Sequence, residues 1–183
     1  MKPTNHSAPR RVLITEEQIG RRVRELAAQI SADFPEGPLY LIGILKGSFV
    51  FLADLARAVT TPCRVEFMGI SSYGQNKTTS GQVRVTKDLD VSIEGRDVLV
   101  VEDIVDSGVT LSYLIRVLEQ RRPRSIHVAA MLDKPDRRQR PVVIEYVGFT
   151  IPDEFVVGYG LDYAEDYRNL RDICVLEDVS VPL

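Results

Sequence analysis

Apolar residues along the chain follow two spacings, one typical of helices and one typical of buried strands. Behind a Thr15/Gln18 capping box they recur every three to four positions, at Ile19, Val23, Leu26 and Ile30. This pattern predicts a helix from Glu16 to Ile30. The segment Leu39–Leu45 is apolar on both faces, which predicts a buried parallel strand, and the helical pattern of residues 49–59 follows it.

The same strand, loop and helix order recurs later in the chain. Residues 64–73 and 97–105 are extended in pattern, and a helical face then appears at Leu111, Leu114, Ile115 and Leu118. Another strand is predicted over residues 125–134. Residues 74–81, GQNKTTSG, contain no large apolar side chain and predict a mobile excursion between two extended segments.

These alternating elements indicate an α/β fold with a mostly parallel central sheet flanked by helices. The last part of the chain, with PVVIEYVGF, FVVGYGLDY and DICVLE, alternates short apolar runs with turns, which predicts a small β-rich flap and a final strand. In such folds the ligand site lies beyond the carboxyl ends of the strands. The polar clusters KGS, EDIVDSG and DK follow strands and are therefore expected there.

Composition favours a single globular domain over residues 1–183, with residues 1–11 as a loose tail. The net charge of -3 gives no general attraction to nucleic acid or to an anionic membrane. The sequence contains no apolar run of membrane-spanning length and no signal-peptide pattern. Cys63 and Cys174 lack the spacing of a disulfide framework or a zinc site, which favours a reducing, cytoplasmic location.

The segment VEDIVDSGVT carries the strongest chemical signal. The residues from Asp106 to Thr110 lead into a predicted helix whose first N–H groups lack intrahelical partners, as in a phosphate cradle. Glu102 and Asp103 repel phosphate, but carboxylates accept hydrogen bonds from vicinal hydroxyls or coordinate a divalent cation. Ser, Thr and Asp before a helix are also common N-caps, yet three clustered acids exceed what a cap needs. The pattern favours a phosphorylated sugar as ligand.

The segment VLVVEDIVDSGVTL closely resembles the phosphoribosyl pyrophosphate motif of type I phosphoribosyltransferases. LIGILKGSFVFLADLAR, SSYG, LDKPDRR, VGFTIPDEFVVGYGLDYAEDYRNL and ICVLE are similar to the hypoxanthine-guanine branch, and the resemblance covers residues 12–177. It implies the type I fold and transfer of a phosphoribosyl group to N9 of hypoxanthine or guanine, giving IMP or GMP. Mg²⁺ is the implied cofactor, and a homodimer or homotetramer the implied assembly.

The resemblance also implies roles for residues that contact the sugar, phosphate and pyrophosphate. Glu102 and Asp103 would bind the ribose hydroxyls, and Asp106 would act as general acid/base at purine N7, although it could instead only order the loop. The 5-phosphate would lie on Asp106, Ser107, Gly108, Val109 and Thr110. Pyrophosphate would meet Lys46, Gly47 and Arg168, with a cis peptide between Leu45 and Lys46.

On the purine side, the resemblance implies that Lys134 donates to the 6-oxo group, because an ammonium cannot accept from the 6-amino group of adenine. Phe155 would stack on the base, and the backbone of Val156 would contact its edge. Asp162 would lie near the base and share Mg²⁺ with the two ribose-binding acids. Ser72 and Tyr73 would begin a loop that closes over the reactants.

Two features keep alternatives open. Val109 stands where some relatives carry lysine, so the phosphate loop relies on N–H groups and hydroxyls. An RNA-binding regulator on the same fold is the main alternative, but the basic clusters RRPR and DRRQR are small and equally suit solvated surface or a subunit interface. A transferase that prefers xanthine is also possible, because xanthine differs only at the 2-position, whereas Lys134 disfavours adenine.

Overall fold

The computed structural model describes residues 10–73 and 82–177. Its elements in chain order are β1 (Arg10–Ile14), α1 (Glu16–Asp33), β2 (Leu39–Leu45), α2 (Phe49–Ala58), β3 (Cys63–Tyr73), β4 (Gln82–Lys87), β5 (Asp97–Val105), α3 (Val109–Glu119), β6 (Ser125–Asp133), β7 (Tyr146–Thr150), β8 (Val156–Val157) and β9 (Ile173–Leu176). A short 3-10 helix at Pro135–Arg137 follows β6. The predicted α/β fold is confirmed.

The central sheet has the strand order β4-β3-β2-β5-β6-β7, and only the β3–β4 pair is antiparallel among its described strands. Side chains alternate between its two faces. Leu41 and Leu99 pack in one cluster with residues of α1 and α2, whereas Ile42 and Val100 pack in another with residues of α3. The helices therefore cover both faces, which explains why the central strands are apolar on both sides.

The α1 helix begins at the predicted residue because its capping box is formed. The N–H of Gln18 donates to the Thr15 hydroxyl over 3.3 Å, and the Gln18 side chain accepts from the Thr15 N–H over 2.8 Å. The helix continues three residues beyond the predicted end. The predicted bounds of β2 are confirmed, because an apolar strand between two polar turns leaves little freedom in its limits.

A second, three-stranded sheet has the order β1-β9-β8 and contains part of the expected flap. The prediction of a loose tail is wrong for Arg10 and Arg11, which pair with Leu176 and Val175 in this sheet, while residues 1–9 lie outside the described part. The assignment of PVVIEYVGF to the flap is also wrong, because β7 pairs in parallel with β6 at the edge of the central sheet. Both errors concern strands whose pairing partners the sequence does not indicate. β9 is distant from β1 along the chain, and the apolar pattern of β7 does not show which sheet it joins. The predicted excursion over residues 74–81 also lies outside the described residues.

The strand order places a change of direction between β2 and β5. The chain runs outward from β2 to β3 on one side and from β5 to β6 and β7 on the other, so the loops after β2 and β5 diverge. A crevice opens at such a point beyond the carboxyl ends of the strands. Within the described residues, no helix combines the length and apolar character that crossing a bilayer requires.

Candidate active site

A cavity of about 300 Å³ lies in this crevice. Its walls come from the loop after β2, the end of β5, the start of α3 and the turn that precedes β9. Most of the residues predicted to bind phosphoribosyl pyrophosphate line it: Lys46, Gly47, Glu102, Asp103, Asp106, Ser107, Gly108, Thr110 and Arg168. Asp162, predicted to lie near the base and to share Mg²⁺, lines it as well. Val109, the first residue of α3, does not line this cavity.

The loop between β5 and α3 has the backbone geometry of an anion cradle. Gly108 has φ of 76° and caps the helix, and a Cβ added there would lie 2.6 Å from the carbonyl oxygen of Arg140. The Ser107 hydroxyl accepts from the N–H of Val109 over 3.4 Å. Because the first N–H groups of α3 face the loop without intrahelical partners, a phosphate is the natural ligand of this turn.

The cradle is fixed from behind by the segment that contains DRRQR. The carbonyl of Ser107 accepts from the N–H groups of Gln139 and Arg140 over 2.9 and 3.0 Å. The Arg138 guanidinium donates to the carbonyl of Asp106 over 2.8 Å and forms an ion pair with Asp133. The sequence did not show this positioning role, because nothing local indicates which carbonyls an arginine reaches.

The two acids on β5 lie in a place that disfavours their negative charge. Glu102 is only 7% exposed, and burial together with the neighbouring charge of Asp103 raises the pKa of Glu102 well above its usual range. Burial also raises the pKa of Asp103 to about 6, although the N–H of Ile104 donates to its carboxylate over 2.8 Å. Hydroxyl donors or a cation would relieve this cost.

Glycines allow three chain segments to meet beside these acids. A Cβ on Gly47 would overlap the Oδ2 atom of Asp103, and a Cβ on Gly160 would overlap the carbonyl oxygen of Gly47. The peptide between Leu45 and Lys46 is cis, as the resemblance implied. Only residues without a side chain permit this approach, so both glycines shape the floor of the cavity.

Two cations predicted to bind pyrophosphate lie at one edge of the cavity. Arg168 donates to the carbonyl of Gly160 over 2.8 Å and pairs with Asp162 over 2.8 Å. Lys46 pairs with Glu165 over 2.8 Å, and this contact lowers the pKa of Glu165. Arg168 also lies 3.5 Å from the same carboxylate. Glu165 was not predicted as a site residue, because the sequence does not reveal its contact with Lys46.

Of the residues predicted to bind purine, Asp162 lines the cavity, whereas Lys134, Phe155 and Val156 do not. Lys134 is 6% exposed, its N–H donates to the carbonyl of Val105 over 3.0 Å, and its ammonium donates to the carbonyl of Glu154 over 2.7 Å. Phe155 follows Glu154, whose carbonyl Lys134 contacts. The ring of Phe155 packs edge-to-face on that of Tyr163, with 5.5 Å between the two ring centroids. Val156 is buried and pairs with Val175.

The predicted acid/base Asp106 lies 3.3 Å from the Nε of Arg137, and that carboxylate oxygen is buried without a hydrogen-bond partner. Arg137 also donates to Asp153 over 3.1 Å, and the Asp153 carboxylate lies 3.8 Å from the ammonium of Lys134. A chain of charges thus links the predicted acid/base to the lysine predicted to read the 6-oxo group.

The predicted magnesium ligands do not form a cage of their own. Across residues 10–73 and 82–177, no three His, Cys, Asp or Glu side chains converge as a metal site would require, so Glu102, Asp103 and Asp162 remain separate donors. Mg²⁺ commonly uses one or two carboxylates together with substrate phosphates and water, which suits this donor set. Ser72 and Tyr73 end β3, but their side chains lie outside the described part of the molecule.

Comparison with known proteins agrees with this geometry. Residues 13–164 match the family model for a phosphoribosyl transferase domain. The hypoxanthine-guanine phosphoribosyltransferase of Bacillus subtilis is 48% identical over 167 residues, covering 91% of this chain and 93% of that protein. The Mycobacterium tuberculosis protein of the same name is 54% identical over 172 residues, covering 91% of this chain and 85% of that protein.

A solved structure shows the same similarity in three dimensions. The crystal structure of a hypoxanthine-guanine phosphoribosyltransferase from Bacillus anthracis superposes with a TM-score of 0.88 at 48% identity, covering 91% of this chain and 98% of that one. The match to the family model includes every residue that lines the cavity except Arg168. The chain therefore belongs to the phosphoribosyl transferase family, within its hypoxanthine-guanine branch.

Proposed function

We propose that this enzyme transfers the 5-phosphoribosyl group of phosphoribosyl pyrophosphate to N9 of hypoxanthine or guanine, releasing pyrophosphate and forming IMP or GMP. One observation carries the proposal: the anion cradle that opens α3 and the two acids of β5 line the same cavity as Lys46 and Arg168. A phosphorylated sugar with a second anionic group fits that arrangement, because each part of it meets groups of matching chemistry.

The sugar-phosphate half is bound by β5 and the loop after it. Glu102 and Asp103 accept hydrogen bonds from the 2- and 3-hydroxyls, and these donors offset the burial that raises the pKa of both acids. The residues Asp106 to Thr110 hold the 5-phosphate through N–H groups and hydroxyls. Val109 contributes its backbone, so the cradle needs no lysine at that position.

The purine half is bound by the loops after β6 and β7. Lys134 donates to the 6-oxo group while it holds the carbonyl of Glu154, because an ammonium has three protons to share. Phe155 stacks on the base, held in place by Tyr163. Asp106 accepts or returns the proton at N7, and Arg137 holds its carboxylate at the purine side.

Glu102, Asp103 and Asp162 are the proposed protein donors for Mg²⁺. Bound there with the substrate, the ion would neutralise negative charge on the departing pyrophosphate. The protein's own cations, Lys46 and Arg168, line the same cavity and would bind the same group, with Arg168 directly beside Asp162. Ser72 and Tyr73 would begin the loop that keeps water from the activated sugar.

An RNA-binding role receives no support from Arg137 and Arg138, two of the three arginines of DRRQR. Arg137 contacts Asp106 and Asp153, and Arg138 contacts Asp133, so these guanidinium groups are engaged by acids rather than presented to a polyanion. A cytoplasmic location and a homodimer or homotetramer remain proposals, the first from cysteine spacing and composition and the second from the resemblance.

A steady-state assay with phosphoribosyl pyrophosphate, Mg²⁺ and each of hypoxanthine, guanine, xanthine and adenine tests the function. We expect nucleotide formation with hypoxanthine and guanine, and little with adenine, whose 6-amino group faces the Lys134 ammonium. The double variant Glu102→Gln and Asp103→Asn should lose use of phosphoribosyl pyrophosphate while its circular dichroism spectrum stays native. If the native enzyme forms no nucleotide with any of the four bases, or if the double variant has unchanged kinetics, the proposal is contradicted.

A further inference from the structure

The two cations at the pyrophosphate edge of the cavity already have an anion between them. The carboxylate of Glu165 lies 2.8 Å from the ammonium of Lys46 and 3.5 Å from the guanidinium of Arg168. Glu165 itself does not line the cavity, whereas both cations do. Its contacts therefore reach inward from the rim to the groups that would meet pyrophosphate.

The backbone that presents Glu165 is an unusual one. Ala164 and Glu165 have φ of 54° and 70° and form a two-residue turn, closed by hydrogen bonds of 3.2 and 3.0 Å between the backbones of Tyr163 and Asp166. Two positive φ values are the pattern of a type I′ turn, which normally contains Asn-Gly or another glycine pair. A glutamate here carries a conformational cost that glycine avoids.

A further contact orients the same turn. The N–H of Glu165 donates to the carboxylate of Asp162 over 2.9 Å, and Asp162 pairs with Arg168 over 2.8 Å. Asp162 and Arg168 thus hold the turn in place. The exposed side chain of Glu165 then directs a second carboxylate to Lys46. Backbone strain retained together with such contacts points to a role at the site rather than to turn formation.

We propose that Glu165 is an internal counter-anion that occupies the pyrophosphate-binding cations in the free enzyme and competes with the diphosphate group of the substrate and with pyrophosphate. The inference rests on the proposed function, which assigns Lys46 and Arg168 to pyrophosphate. Glu165 is a positioning residue, since it acts through these two cations and touches no reacting atom. When the product leaves, the carboxylate returns to the two cations and offsets their mutual repulsion.

The expected effect is moderate and selective. The side chains of Lys46 and Glu165 are 65% and 66% exposed, so solvent screens their attraction and each pair adds only a small competing energy. Removing the carboxylate from both pairs should tighten pyrophosphate binding about three- to tenfold. The KM for phosphoribosyl pyrophosphate should also fall. The KM for hypoxanthine should stay constant, because the Glu165 carboxylate contacts Lys46 and Arg168, which are assigned to pyrophosphate and not to the base.

The test is the inhibition constant of pyrophosphate as a product inhibitor, measured for the native enzyme, Glu165→Gln and Glu165→Gly. Both variants should show the tighter inhibition, and Glu165→Gly should also melt at a higher temperature because glycine adopts φ of 70° without cost. Glu17→Gln is the matched control, since it removes the same charge from an exposed position on α1. An unchanged or weakened inhibition by pyrophosphate in Glu165→Gln would overturn the proposal.

One more variant separates this proposal from the function on which it rests. Lys46→Ala should weaken inhibition by pyrophosphate if Lys46 binds it. If that variant behaves as expected and Glu165→Gln leaves the inhibition constant unchanged, the counter-anion proposal alone fails. If Lys46→Ala also has no effect, the assignment of Lys46 to pyrophosphate fails, and the counter-anion proposal fails with it.

Discussion

The variant Asp103→Asn removes a negative charge from a half-buried position on β5 while keeping the shape of the side chain. The amide oxygen can still accept from the N–H of Ile104, which lies 2.8 Å from the native carboxylate. The variant therefore isolates the cost of the charge itself. We expect the free enzyme to become more stable and, at the same time, to lose use of phosphoribosyl pyrophosphate.

The size of the effect follows from the pKa of Asp103, which burial raises from 3.8 to about 6. Each unit corresponds to about 1.4 kcal/mol, so the full shift would correspond to about 3 kcal/mol. Asp103 keeps some contact with solvent, which reduces the expected gain to about 1–2 kcal/mol. For a chain of this size, that corresponds to roughly 2–8 °C in melting temperature.

The pH dependence has a definite sign. Between pH 3.8 and about 6 the folded protein holds a proton that the unfolded chain has lost, so this group makes stability fall as pH rises through that range. Above it the charged carboxylate remains a constant cost. The gain from Asp103→Asn should therefore be full at pH 8 and small near pH 4.5.

Urea unfolding at pH 8 and pH 4.5, in chelator and without substrate, measures this difference. The exposed Asp136→Asn serves as control, because its charge is already solvated. A loss of stability at pH 8, or an equal gain at both pH values, would refute the reasoning. Addition of Mg²⁺ and phosphoribosyl pyrophosphate should stabilise the native enzyme more than the variant, because only the carboxylate serves both ligands.

Three further variants test other parts of the site. Gly47→Ala would drive a Cβ into the Asp103 carboxylate and should reduce kcat/KM for phosphoribosyl pyrophosphate at least about 100-fold; Gly20→Ala, on the surface of α1 with its nearest contact at 3.5 Å, should remain fully active. Lys134→Gln, which can accept as well as donate, should raise the ratio of adenine to hypoxanthine turnover, and an unchanged ratio would argue against its specificity role. Phe155→Leu should raise the KM for hypoxanthine about tenfold through lost stacking, and an equal rise for phosphoribosyl pyrophosphate would indicate general damage instead.

Local features of the sequence were sufficient to place the helices α1, α2 and α3 and the strands β2, β3, β5 and β6, but not β7. The capping box at Thr15 sets the start of α1, and the apolar run of β2 sets its own limits, because each depends on neighbours in the chain. The anion cradle was also predictable, since its residues are contiguous and a turn before a helix exposes the same N–H groups wherever it occurs.

Only the tertiary structure decided which distant groups complete the site. Lys46 and Glu165 are 119 positions apart, and Arg138 reaches the carbonyl of Asp106 across 32 positions. The pairing of β1 with β9 likewise joins the two ends of the described chain. Spacing and periodicity report only the contacts that a residue makes within its own helix or strand. Contacts between segments depend on how the sheet orders its strands and on where a glycine lets two backbones approach, and these appear only once the whole chain is packed.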